Sequence, residues 1–155
     1  MKHPKYQLKS GELLTSFEFV SEGPKGVIRK RIQFTGINLE GVYNLAFGDE
    51  DEATGGIDDL SVSNNGDSEK VLATVVSALY AFCDYHPEAW VFASGSTDAR
   101  TRLYRIGIAR YFDDIKDDFE IYGQVADEWQ HFKKNVNYVA FLARRKIVNL
   151  NDEKH

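Results

Sequence analysis

The chain has 155 residues, of which 43% are hydrophobic and 13% aromatic, and its formal net charge is −5. This composition is typical of a folded globular domain and excludes a disordered one. The negative balance argues against nucleic acid as a partner, because that affinity comes largely from lysine and arginine side chains on phosphates. We expect a single domain over residues 1–148 and a polar tail over residues 149–155.

The chain lacks the sequence features of secreted and membrane proteins. Its one cysteine, Cys83, cannot form an intramolecular disulfide, and the residues after Met1 lack the apolar core of a signal peptide. No apolar run approaches the ~18 residues that span a bilayer. These features predict a cytoplasmic protein without membrane contact.

The first half of the chain predicts four strands that are joined by short turns. Residues 14–20, 28–34, 42–47 and 57–63 alternate apolar and polar side chains or are rich in β-branched and aromatic residues. The connections between them are too short for a parallel crossover. We therefore expect an antiparallel meander.

The middle of the chain predicts a helix, a strand and a second helix. Residues 68–85 carry one wide apolar stripe at helical spacing, and Pro87 ends this helix. Residues 89–93 are apolar at every position, which is the pattern of a central strand covered on both faces. The second helix is expected over residues 98–110.

The last third predicts a hairpin and a closing helix. Residues 119–125 and 129–133 form two strands around a turn, and residues 137–147 end in basic side chains that suit the carboxyl end of a helix. The predicted fold class is therefore α+β. It combines a mainly antiparallel, twisted sheet of about six or seven strands with two main helices, over 68–85 and 98–110, and the short C-terminal helix.

The junction between the central strand and the second helix predicts an anion site. A glycine-containing loop that opens a helix presents unpaired backbone N–H groups, and the helix dipole adds partial positive charge there. Guanidinium groups in the first turns can then clamp a phosphate or a carboxylate. The predicted anion-binding residues are Gly95, Ser96, Thr97, Arg100, Arg102 and Arg105.

The same residues also have a purely structural interpretation. Ser96 or Thr97 would cap the helix, and Gly95 would make the turn. The arginines would then pair with nearby carboxylates, namely Asp49, Glu50, Asp51 and Asp58. The sequence alone leaves both interpretations open.

Other reactive side chains favour structural roles. The acidic loop over residues 49–52 fails the calcium-loop pattern, which needs a glycine and a glutamate at set positions. Asp58 and Asp59 are candidate general bases, but Asp58 is expected on the apolar side of its strand, paired with an arginine or a backbone donor. Cys83 lies on the apolar helix stripe as a core thiol. We expect no metal site, because the histidines show none of the zinc spacings. We also expect no cofactor.

Three long phrases occur at residues 43–49 (YNLAFGD), 58–67 (DDLSVSNNGD) and 95–105 (GSTDARTRLYR). Through them nearly the full chain resembles a family of small bacterial proteins, common in the Bacteroidetes group, that is catalogued as a domain of unknown function. The resemblance implies a bacterial, intracellular protein and brings no established activity.

A second resemblance covers residues 57–123, where the order is strand, helix, strand, helix, hairpin and residues 99–107 read ARTRLYRIG. This part looks like the carboxyl-terminal part of the GCN5-related N-acetyltransferases. The resemblance implies a coenzyme whose pyrophosphate lies on a glycine-rich loop at a helix start. The equivalent residues 65–71 here read NGDSEKV, with one glycine and two acids that would repel a pyrophosphate. No acetyltransferase residue is carried over.

Three functions are consistent with these patterns. The first is a binding module that takes an anionic small molecule or a phosphorylated partner near residues 94–105. The second is an enzyme of acetyltransferase-like topology with an altered coenzyme loop. The third is a partner-binding protein that uses the basic strand of Arg29, Lys30 and Arg31. No feature of the sequence sets an oligomeric state.

Overall fold

A computed structural model of the chain describes residues 4–58, 65–95 and 97–146. Within these residues two α-helices lie against an eight-stranded, mainly antiparallel sheet, so the predicted α+β class is confirmed. The helices are α1 Ser68–Tyr85 and α2 Asp98–Ile115. The strands are β1 Lys9–Ser10, β2 Ser16–Gly23, β3 Gly26–Gly36, β4 Val42–Asp49, β5 Trp90–Ala93, β6 Phe119–Val125, β7 Glu128–His131 and β8 Ala140–Arg145.

The predicted meander is confirmed for its first three strands. β2 pairs with β3 and β3 pairs with β4, both antiparallel, and the inward positions include Phe17, Phe19 and Ile32, all buried. The two-residue strand β1 adds the edge beyond β2. Of the predicted strand over 57–63, Ile57 forms an isolated bridge with Glu50, and residues 59–63 lie outside the described residues.

The second half of the sheet is built around β5. The order of strands across the sheet is β1-β2-β3-β4-β5-β8-β6-β7, and α1 forms the crossover that makes β5 parallel to β4. The parallel pairing joins only Val42–Asn44 to the start of β5. β8 is inserted between β5 and β6 and is antiparallel to both. The sheet therefore has more strands than the six or seven that were predicted.

The predicted C-terminal helix over 137–147 is wrong, because residues Ala140–Arg145 form strand β8. The short run has no polar alternation, and the basic side chains at its end are typical of the carboxyl end of a helix. Two neighbouring strands override that local preference, since β8 pairs with β5 along one edge and with β6 along the other. Phe141 points toward the helices, and Leu142 points to the opposite face.

Both helices occupy the same face of the sheet. The bounds of α1 match the prediction, and α2 continues five residues beyond the predicted end at 110. Gly66, with a φ of +74°, makes the turn that starts α1. Phe82 of α1 is fully buried and stacks on Phe34 of β3, with ring centroids 4.2 Å apart. Neither helix in the described part of the chain is long and apolar enough to cross a membrane.

The uniform apolarity of β5 has a different cause from the one predicted. Val91 and Ala93 are buried under the helices, whereas Trp90 and Phe92 are only half-buried on the opposite face. Between the helices and the sheet, apolar side chains enclose a cavity of about 70 Å³. Pockets for metabolites have volumes of roughly 300 Å³ or more, so the interior is too full to be the ligand site.

Candidate functional site

The edge of β4 that faces β5 is the structural centre of the candidate site. The residue after β4, Glu50, donates its backbone N–H to the Arg29 carbonyl, so the backbone groups of alternate residues of β4 bond to β3. Leu45 and Phe47 are the intervening residues, so their backbone N–H and C=O groups point away from β3 and toward β5. Because β5 pairs with β4 only as far as Asn44, the carbonyls of Leu45 and Phe47 have no strand partner among residues 4–58, 65–95 and 97–146.

Side chains of α2 supply the missing donors. Tyr104 donates its hydroxyl to the Leu45 carbonyl at 3.3 Å, and Arg100 donates one guanidinium nitrogen to the Phe47 carbonyl. The other terminal nitrogen of Arg100 donates to the Asp58 carbonyl at 2.6 Å. Since residues four apart lie on one helix face, this pair of α2 side chains closes the gap left by the short parallel pairing.

Arg100 is therefore a structural residue in this fold. It is only 5% exposed, and a Cβ on Gly48 would lie 2.6 Å from one of its terminal nitrogens. Its guanidinium group lies in the protein interior, where its carbonyl partners offset the cost of burying the charge. Both partners that the described residues supply to its side chain are backbone carbonyls, those of Phe47 and Asp58.

The entrance of α2 uses its own polar groups. Thr97 caps the helix by accepting the Arg100 backbone N–H at 3.2 Å, and the Gly95 N–H donates to the Thr101 hydroxyl at 3.2 Å. Gly95 lies so close to the helix that a Cβ there would be 2.3 Å from the Thr101 nitrogen. Ser96 lies outside the described residues. The backbone N–H groups of Gly95 and Arg100, which were predicted to face an anion, thus donate to hydroxyl groups of the protein.

Arg102 and Arg105 differ from Arg100 in their surroundings. Arg102 is exposed and Arg105 is half-buried, and within residues 4–58, 65–95 and 97–146 neither forms an ion pair or a side-chain hydrogen bond. By contrast, four other arginines pair with carboxylates: Arg31, Arg110, Arg144 and Arg145. Of the predicted set, Arg102 and Arg105 are therefore the arginines whose side chains have no partner in the described part of the chain.

The basic strand proposed as a partner surface is largely engaged. Lys30 is buried, and its Nζ lies 2.6 Å from Asp49. Arg31 contacts Glu18 at 2.5 Å and Glu50 at 3.3 Å. Arg29 is the exposed member of the three. Carboxylates at the end of β4 and in the loop after it thus form ion pairs with side chains of β3. Among the described residues, no group of three or more potential metal ligands occurs.

The start of α1 matters because the acetyltransferase resemblance would place a pyrophosphate there. Asp67 accepts hydroxyl hydrogens from Tyr6 and Ser21, each at 2.5 Å. Asn65 is 1% exposed and donates to the Ser21 hydroxyl at 3.2 Å and to the Gly26 carbonyl at 3.0 Å. Burial and the neighbouring Asp67 raise the pKa of Tyr6. This network ties the β2–β3 turn to α1 and places the Asp67 carboxylate at the start of the helix.

Cys83 was predicted to be a core thiol, and it is fully buried. Burial raises the pKa of Cys83 to about 12, against a smaller opposing effect of the Arg145 charge. The native thiol should therefore resist a maleimide at pH 8 and react only after denaturation, measured by mass spectrometry. Because the folded-state pKa is raised, the contribution of Cys83 to stability is present below the ordinary thiol pKa of about 8.5 and is lost as pH rises above it. Fast labelling of the native protein would contradict this burial.

The sequence model of a family of unknown function (DUF6934) matches residues 2–146 of the chain. No curated protein matches the chain, and no solved structure matches it.

Proposed function

This chain belongs to DUF6934, a family of unknown function, and we propose from its geometry that it is a binding module for a small anionic ligand. The observation that supports the proposal is the pair of arginines, Arg102 and Arg105, that have no ion-pair partner in the described part of the chain. They lie three residues apart on α2, so their side chains start about 5–6 Å from each other on the helix surface.

The proposed division of labour follows from the burial of the three arginines. Arg100 fixes the start of α2 against β4, and this anchoring holds the helix surface that carries the other two guanidinium groups. Each guanidinium can donate two parallel hydrogen bonds to a phosphate or a carboxylate. The positive end of the α2 dipole also favours a negatively charged ligand near the first turn, close to Arg102.

The test is a calorimetric titration with inorganic phosphate, adenosine monophosphate and coenzyme A at low salt. We expect weak saturable binding of phosphate, and each of Arg102→Ala and Arg105→Ala should weaken it about fivefold, because exposed ion pairs contribute up to about 1 kcal/mol each. Binding should also weaken as salt is added.

Arg29→Ala is the matched control, since Arg29 is another exposed arginine without an ion pair in the described residues and lies on β3. This variant should bind phosphate as the unchanged protein does. Absence of saturable binding for all three ligands, or equal weakening by the Arg29 and Arg102 substitutions, would remove the proposal.

A second candidate is an acetyltransferase-like domain with an altered coenzyme loop. The limited parallel pairing of β4 with β5 favours it, because the two strands separate after Asn44. The side chains of Arg100 and Tyr104 lie where β4 and β5 separate, and the Asp67 carboxylate lies at the start of α1. Both features argue against a bound coenzyme. Coenzyme A that binds much more tightly than adenosine monophosphate, with an affinity insensitive to Arg102→Ala, would favour this candidate over the first.

A further inference from the structure

The face of the sheet opposite the helices carries a second surface with binding chemistry. In the described part of the chain no helix covers this face, and five large apolar side chains project from it on β5, β8, β6 and β7. We call them the aromatic patch: Trp90, Phe92, Tyr122, Trp129 and Leu142. Both tryptophans of the chain belong to it. An apolar patch of this kind on a folded domain marks an interaction surface.

The two ends of the aromatic patch differ in accessibility. At one end the guanidinium of Arg144 lies 4.4 Å from the centre of the Trp90 ring and bonds to Glu120 at 2.7 Å. At the other end Trp129 is 41% exposed, and its ring meets Phe92 edge-on, with centroids 6.2 Å apart and planes at 71°. The first end is closed by the protein, and the second forms an open corner between two rings.

Unpaired amide groups flank this corner. Gln124 lies opposite Trp129 across the β6–β7 pair, and Asn44 lies beside Phe92 across the β4–β5 pair. Both are half-buried, and among residues 4–58, 65–95 and 97–146 neither amide side chain makes a hydrogen bond. Each amide can donate and accept, so the corner offers hydrogen-bonding groups next to ring faces.

The dimensions and charges of the patch limit what can occupy it. At the ordinary strand spacing, the outward positions from β4 to β7 cover on the order of 300 Å². A stable protein interface needs about 800 Å² from each partner, so the patch is too small for a second copy. The nearby cation, Arg144, is already paired with Glu120, which disfavours a polyanion. Rings that meet at 71° form no common plane for a linear sugar chain.

We propose that this corner binds a neutral planar heteroaromatic ring, of the nucleobase type, that stacks on Trp129 and hydrogen-bonds the Gln124 amide through its edge. An edge-to-face pair of rings suits such a ligand, because the ligand can stack on one ring while its edge meets the other. This ligand site lies on the face opposite α2. It does not depend on Arg102 or Arg105.

The experiment uses the fluorescence of the two tryptophans, both of which report on the patch, during titration with adenosine and guanosine. We expect saturable quenching of the tryptophan fluorescence. In calorimetry, Trp129→Ala should bind about tenfold more weakly, because loss of an aromatic side chain that stacks on a base weakens binding by about that factor. Gln124→Leu keeps the stacking surface and removes the amide. It should weaken binding and change the preference between adenosine and guanosine.

Tyr85→Ala is the control, because Tyr85 is 54% exposed and lies on α1, on the other side of the sheet. Adenosine monophosphate should bind to the patch no better than adenosine, and Arg102→Ala should leave adenosine binding unchanged. The proposal is overturned if neither nucleoside gives a saturable change, or if Trp129→Ala and Gln124→Leu both bind as the unchanged protein does. The proposal is also overturned if only cellopentaose or an oligonucleotide quenches the fluorescence. Self-association of the protein through this face, measured by sedimentation, would overturn it as well.

Discussion

Replacement of Arg100 by alanine should lower the free energy of unfolding by about 3–5 kcal/mol, because two carbonyl groups would lose their donor and each unsatisfied buried group costs about 1–3 kcal/mol. The carbonyls belong to Phe47, on the part of β4 beyond its pairing with β5, and to Asp58 in the following loop. The truncation also leaves an unfilled volume at a residue that is only 5% exposed. A domain with a typical total stability of 5–15 kcal/mol would become marginal.

Urea unfolding followed by circular dichroism measures this loss as a fall in the midpoint with an unchanged slope. Arg102→Ala is the matched control, since it removes the same side chain two positions later from an exposed site, and it should change stability by less than about 0.5 kcal/mol. Arg100→Lys should recover only part of the loss, because one ammonium group lacks the fork that reaches two separated carbonyls. Equal stabilities for the Arg100 and Arg102 variants would show that the β4 edge does not need its donor.

The different roles of the three arginines explain what the sequence could predict about the site. A glycine-containing loop followed by arginines indicated an anion site and did not distinguish one arginine from the next. The spacing did hold a usable signal: Arg100, Tyr104, Gly107 and Tyr111 recur at intervals of four, three and four, and all four are buried. An arginine on that stripe points toward the sheet and needs internal partners. Its carbonyl partners could not be predicted, because they exist only where β5 stops pairing with β4.

The same contrast between local and distant information holds for the fold. Strong local periodicity predicted α1 to its residue bounds and the antiparallel order of β2, β3 and β4. β8 has weak local preference and becomes a strand only because β5 and β6 offer edges on both sides of it. Its insertion also explains the apolar outer face of β5, since Phe92 lies beside Leu142 there. The aromatic patch was invisible in the sequence because its members come from four separate strands.

Replacement of Gly95 by alanine should destabilise the protein by about 3 kcal/mol, at the upper end of the cost of inserting an atom into a packed site. A Cβ at this position would lie 2.3 Å from the Thr101 backbone nitrogen and 2.6 Å from the Arg100 Cβ. Neither atom can move without displacing the first turn of α2. That turn carries the Thr97 cap and positions Arg100, so relief of the clash would loosen the bonds to the β4 edge as well.

The control for Gly95→Ala is Gly36→Ala at the end of β3, where an added Cβ would meet only Tyr43, at 4.0 Å. The control should unfold within about 0.5 kcal/mol of the unchanged protein. Hydrogen exchange adds a local measurement: amides of the first turn of α2 should lose protection in Gly95→Ala, while those in the middle of α1 keep theirs. If Gly95→Ala instead matched the control in both measurements, the loop and the helix would not be in the close contact on which the position of Arg100 depends.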